Sequence, residues 1–320
     1  MTVPSVADYL TILPGTVQPW CMLNPRLQAL RLVARHGTVT AAAAASHYTP
    51  SAVSAQLRSL AEEVGAPLLE REGRGIRLSE AALVLLEYAD TVAAGWESAR
   101  ARVQALHGER DVTLTLCGFS TAAATLLPRA ARALAEQQPG TAVRIVEADP
   151  DECFDLLLAE RADLAVVVAT DEVPPLTDPR FDQHALGEDP LDLLLPQGHR
   201  LADRSSVALA EAAGEAWIMD RAGRPYHRLV TTACLAAGFR PDIVHEVVEW
   251  DTGAALVHAG MGVSLVPQLA NLPTVYDIVR VPLRGDPRPA RHLRAAVRSG
   301  AGAHHLIGIA LDAMRPSAGG

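Results

Sequence analysis

The sequence predicts a small all-α winged helix-turn-helix at the front of the chain and a two-lobed α/β domain behind it. Three observations predict this. Positions 22–79 carry three short helical patterns separated by tight turns, followed by a loop bearing glycine and arginine. Beyond position 108 short apolar runs alternate with helical patterns, as in a largely parallel sheet with crossover helices. The charge also divides: residues 22–79 hold seven arginines against Glu62, Glu63, Glu70 and Glu72, a net +3, while 111–320 hold eighteen arginines against twenty-seven acids, a net −9. A basic front suits a phosphate backbone, and the acidic remainder would repel one.

The 320 residues allow two or three compact units, and 49% hydrophobic against 20% charged residues exclude a disordered chain. No apolar run is long enough to span a bilayer, and the front lacks a charged segment followed by an apolar one, so a cytoplasmic protein without a membrane partner is expected. Cys21, Cys117, Cys153 and Cys234 make no CxxC pair, which indicates neither a zinc site nor a disulfide framework. The basic side chains are all arginine, with no lysine, a composition bias rather than a functional signal.

Residues 1–21 read as an extension without periodicity. Regular signals begin just after Met22, which makes that residue an alternative start. Asn24 caps a first helix with Pro25 in its first turn, and Gly37 stops it. An alanine-rich helix over 40–47 follows. Thr49-Pro50 opens a third helix that runs to about 64 and ends at Gly65. In that helix Val53, Leu57, Leu60 and Val64 form one stripe to be buried. Ser51, Ser54, Ala55 and Arg58 project from the other side, with Thr49 at the helix start, and suit a major groove. Alone, such a helix is as readily an ordinary amphipathic surface helix. Arg71, Arg74 and Arg77, on a loop with Gly73 and Gly75, tip the balance, because they have the composition of a wing that grips phosphates.

A long helix starts at Ser79. Leu85, Ala89, Val92, Trp96, Ala99, Val103 and Leu106 repeat at 4-3 spacing, the seam of a coiled coil, and predict that residues 80–108 form a dimerising linker rather than pack on the protein's own core. Strands are expected over 112–117, 142–147, 163–168, 191–195, 216–219, 243–247, 262–266 and 294–297. Helices fall over 121–137, 151–161 and 305–314. The chain should cross between lobes near 169–190 and return near 267–290.

The run GTVTAAAAASHYTPSAVSAQLRSLAEEVGAPLLEREGRGIRLSEAA, with GEDPLDLLLPQGHRLA and VHAGMGVSLVP, resembles the LysR-type transcriptional regulators over nearly the whole chain after Met22. Ala61, Leu69 and Ala82 stand where the family usually has glutamate, phenylalanine and glycine, which are changes of packing scale. The resemblance implies double-stranded DNA as partner, a homodimer or homotetramer, RNA polymerase as a further partner, and no cofactor. It also implies a periplasmic-binding-protein-like effector domain over 111–315 with a small-molecule cleft between its lobes. In that cleft Ser120 and Thr121, at a helix start after a strand, offer hydroxyls and free N–H groups. Thr170, Arg221, Arg224 and Trp250 are expected to complete it around an organic anion.

Enzyme signatures are incomplete. There is no HExxH and no P-loop, Gly260-Met261-Gly262 lacks the third glycine of a dinucleotide loop, and Gly262-Val-Ser264 lacks the closing glycine of a nucleophile elbow. His304-His305 has no acidic or cysteine partner nearby and reads as solvated. Two alternatives remain at this level: a ligand-binding α/β protein whose helical front only dimerises, and a redox sensor using Cys117, Cys153 or Cys234.

Overall fold

The computed structural model describes residues 24–46, 48–72, 75–107 and 112–315. The extension 1–21, Cys21, His47 and Arg74 lie outside them. The chain divides into two compact units between Trp96 and Glu97.

The first unit is built from helices α1 (Pro25–His36), α2 (Val39–Ser46) and α3 (Pro50–Val64), a hairpin of β1 (Leu69–Glu72) and β2 (Gly75–Leu78), and the start of α4 (Glu80–His107). Its punctuation follows local chemistry. Asn24 Oδ1 accepts the Arg26 N–H at 3.0 Å, Thr49 Oγ1 accepts the Ala52 N–H at 3.2 Å, and Gly37 and Gly65 close their helices with φ of 72° and 74°. Ser79 ties the hairpin to α4: its hydroxyl donates to the Pro67 carbonyl at 2.6 Å and accepts the Ala82 N–H at 3.1 Å.

Val53, Leu57 and Leu60 are buried as predicted, joining Leu30, Val33 and Ala43 in one core. Val64 is a correction. It is 43% exposed, because the last turn of α3 extends past the helices that cover the rest of the stripe.

The predicted coiled-coil seam is corrected more deeply. Leu85, Ala89 and Val92 pack into the first unit's own core, so half of that stripe has its partner already. Trp96 is half-buried, whereas Ala99 and Val103 are exposed. The Leu106 side chain lies outside the described residues. The exposed apolar side chains near the start of α4 are Leu83, Val84 and Tyr88, on another face. A 4-3 repeat marks an apolar face but does not say what covers it.

The second unit is two-lobed. In the first lobe β3 (Thr113–Gly118), β4 (Ala142–Glu147) and β5 (Leu164–Val168) run parallel, and β12 (Ala290–Arg298) joins β5 antiparallel. Helices α5 (Ser120–Gln137), α6 (Pro150–Leu158) and α9 (His305–Met314) cover the sheet. Strand β6 (Phe181–Pro196) spans both lobes: it pairs with β12 at first, slips register between Leu293 and Arg294, and then pairs with β10 (Ser264–Pro267) and β11 (Ile278–Arg284). The second lobe is completed by β7 (Val207–Ala208), β8 (Ala216–Met219), β9 (Asp242–Glu246), α7 (Pro225–Ala236) and α8 (Trp250–His258). The expected crossing at 169–190 is thus partly a strand, and β11 was not foreseen, since Pro282 and two arginines interrupt its apolar pattern. His304 is likewise corrected: it is buried, and its Nδ1 accepts the Leu306 N–H at 3.3 Å at the start of α9.

The GMGVSLVP run has a geometric cause. Gly262 takes φ 151°, and a Cβ there would lie 2.6 Å from the Ala216 carbonyl oxygen of β8. Gly262→Ala must therefore displace the strand that pairs Trp217 with Val263, at a cost on the order of 1–3 kcal/mol. Thermal unfolding checks this, and an unchanged midpoint would show that the strand yields freely.

Candidate nucleic-acid interface and ligand cleft

On α3, Ser51, Ala55 and Arg58 are exposed and Ser54 is half-buried, opposite the buried Val53, Leu57 and Leu60. Thr49 is exposed, but its hydroxyl is engaged with the Ala52 N–H and with Ser51 Oγ at 2.9 Å. In the hairpin the register sets Glu70 opposite Arg77, and the two side chains form an ion pair. Arg71 is exposed beside them. A largely buried pair, Arg31 with Asp90 at 2.8 Å, ties α1 to α4.

The second unit holds a cleft of about 1000 Å³ between its lobes. It opens at the carboxyl ends of β3, β4, β5, β8 and β9, where open α/β sheets bind ligands. Helices α5 to α8 all begin there, and none of the four has a side-chain cap on its first turn. Their leading N–H groups remain available to a ligand or to water.

The expected site residues are only partly brought together. Ser120, Thr170, Arg224 and Trp250 line the cleft. Phe119, not Ser120 or Thr121, occupies the cap position of α5. Thr121 points elsewhere: it is 4% exposed and does not line the cleft, because α5 turns it toward the sheet. Arg221 is exposed and also lies outside the lining, one residue beyond the Asp220 carboxylate that accepts its N–H at 2.8 Å. Arg224 is not a free cation either, since its Nε pairs with Asp220 at 3.0 Å. Thr170 Oγ1 accepts the Glu172 N–H at 3.3 Å.

Several lining residues escaped sequence reasoning. Arg228 on α7 reaches across from the second lobe to Asp171 and Glu172, each at 2.8 Å, and the Glu172 and Asp171 hydrogen bonds raise its pKa further. Arg291 on β12 is buried against Asp189 on β6, its guanidinium 5.0 Å from the Phe119 ring centre. Tyr226 packs edge-to-face on Trp250 at 4.9 Å and donates its hydroxyl to the Leu265 carbonyl at 2.9 Å; burial holds its phenol well above the usual range. Each pair joins residues far apart in sequence, so no local signal announces it.

The charge of this lining differs from what an organic anion alone would call for. Eight aspartates and glutamates line the cleft against three arginines, and each of those arginines already has a carboxylate partner.

The described thiols, Cys117, Cys153 and Cys234, are buried. A hydrogen bond of the Cys153 thiol to Cys117 and burial push that thiol far up, and burial raises Cys234 to about 12. Among the described residues there is no cluster of three metal-ligating side chains and no helix long and apolar enough to cross a membrane.

Residues 25–83 match the family model described as bacterial regulatory helix-turn-helix protein, lysR family, and residues 107–317 match the LysR substrate binding domain. The transcriptional regulator YybE of Bacillus subtilis is 26% identical over 77% of this chain and 83% of its own length. A hydrogen peroxide-inducible genes activator from Dickeya chrysanthemi is 28% identical over 76% of this chain and 78% of its own. A full-length OxyR variant from Pseudomonas aeruginosa shares the fold, with a TM-score of 0.60 at 20% identity, over 90% of this chain and 93% of that one. With both models matched in order along one chain, the protein belongs to the LysR family of DNA-binding transcriptional regulators and carries that family's effector-binding domain.

Proposed function

We propose that α3 reads operator double-stranded DNA from the major groove, with Thr49, Ser51, Ser54, Ala55 and Arg58 toward the bases and backbone. In this reading the wing, with Arg71, Arg74 and Arg77, holds phosphates beside it. The observation that carries the reading is the exposed face of α3, where Arg58 has no partner among the described residues while Arg77 is tied to Glu70. The active species is a homodimer or homotetramer, whose two-fold symmetry matches paired half-sites. Its contacts draw on the exposed Leu83, Val84 and Tyr88 face of α4 rather than on Leu85, Ala89 and Val92. A small molecule bound in the interlobe cleft shifts the subunit arrangement, with RNA polymerase as the downstream partner. The protein acts in the cytoplasm, as a regulator and not an enzyme. Redox sensing by Cys117, Cys153 or Cys234 is disfavoured, because thiols so buried are poor nucleophiles.

Arg58→Ala tests the interface. A lost base contact costs about 1–3 kcal/mol, and a lost phosphate contact lowers the salt slope by about one. Fluorescence anisotropy with labelled operator at several salt concentrations reads both. Affinity and slope equal to the parent protein would remove Arg58 from the interface.

A further inference from the structure

We infer that the effector is an organic cation, an amine or guanidinium compound with an apolar body. This rests on the reading of the interlobe cleft as the effector site and adds the chemistry of the ligand. The site is the cleft itself, and its charge selects what enters.

Eight carboxylates against three arginines leave the lining with a surplus of five negative charges. The arginines do not stand ready for an anion: Arg224 is held by Asp220, Arg228 by Asp171 and Glu172, and Arg291 by Asp189. By contrast Glu147, Asp149, Glu152 and Glu249 line the cleft without a cationic partner among the described residues.

The four helix starts pull the other way. Each is worth about half a positive charge, so together they supply about two, which does not cancel the surplus. One of them, that of α8, is also served by an acid outside the eight, Asp251 in its first turn, while Asp151 and Glu152 at the start of α6 are already counted. A cleft with one sign of charge between low-dielectric walls concentrates the opposite ion. Half-buried Trp250 supplies aromatic surface in the same space, on which an ammonium or guanidinium group is also favoured, whereas the Phe119 ring is already taken by Arg291.

The test uses the full chain and three probes: agmatine, phenethylamine and 3-phenylpropanoate, the last keeping the phenyl ring but reversing the charge. Calorimetric titration should show saturable binding of both amines that weakens with salt, and binding of 3-phenylpropanoate at least about tenfold weaker. The double variant Glu152→Gln/Glu249→Gln should lose about tenfold or more in amine affinity, with its ligand-free unfolding midpoint lowered by no more than a few degrees, as the loss of one acid from the first turn of α6 requires. If that variant unfolds, Glu147→Gln alone should show the same loss in smaller measure. The inference is overturned if 3-phenylpropanoate binds more tightly than phenethylamine, if neither amine saturates, or if amine affinity ignores these substitutions. Operator binding is followed in parallel. An anionic probe that binds and shifts it would leave the effector site standing and sink the cation. An amine that binds in the cleft without moving operator affinity would sink the effector reading while the charge assignment survives.

Discussion

Arg298→Leu is expected to lower the unfolding free energy of the α/β unit by about 3–5 kcal/mol. Arg298 sits on β12 with 9% of its side chain exposed, and its guanidinium meets Glu97 of α4, Asp163 and the carbonyls of Leu157 and Ala162. Burial works against its charge, but Glu97 and Asp163 outweigh that effect and hold its pKa above the ordinary arginine value. Leucine fills part of the volume but leaves Glu97, only 6% exposed, as a buried charge with no counterion in place. A loss of that size corresponds to a fall in melting temperature on the order of 10 °C for a unit of this length. Calorimetric unfolding checks it. The double variant Glu97→Leu/Arg298→Leu should recover part of the loss, because the orphaned charge goes with its partner. A single variant as stable as the parent would show that water reaches the cluster.

Arg291→Leu should cost a similar amount, about 3–5 kcal/mol, for the same reason at a different place. The Asp189 side chain has no exposed surface, and the register of β6 against β12 sets the two residues directly opposite each other. Without the arginine, Asp189 keeps only the Leu269 N–H at 3.0 Å among the hydrogen bonds described for it. Because Arg291 also lines the cleft and carries the Phe119 ring, the loss should appear in unfolding and in ligand affinity together. Denaturant titration with and without a saturating probe separates the two, and a variant with the parent's midpoint would mean that Asp189 finds another donor.

Much of this molecule was legible in local sequence. Asn24-Pro25, Thr49-Pro50, Gly37 and Gly65 set the helix limits of the first unit through capping and left-handed closure, which act within a few residues. The arginine-glycine run became a hairpin, and of the parallel strands of the first lobe β5 was readable as a continuous apolar run, with β3 and β4 as shorter strands before it. Resemblance to the family then joined these parts into a regulator, and the matched family models agree.

What local sequence left open concerned partners rather than elements. The stripe on α4 was rightly apolar, yet whether Leu85 and Ala89 faced a second chain or their own core depended on helices well upstream in the chain, as the pairing of Arg31 with Asp90 also does. Ser120 and Thr121 are neighbours with similar chemistry, and only the packing of α5 turned one toward the cleft and the other inward. The charge of the cleft was hardest to foresee. Each acid is visible in the chain, but Glu147, Asp171, Asp220 and Glu249 converge only because the strands ahead of them end at one crevice. Arg298 and Glu97 meet across 201 positions. The sequence by itself determined the elements, their order and the family, because capping, periodicity and turn chemistry act over a few residues. Tertiary structure decided which faces were buried and which charges were paired, because electrostatics and packing act through space, between groups that the chain keeps far apart.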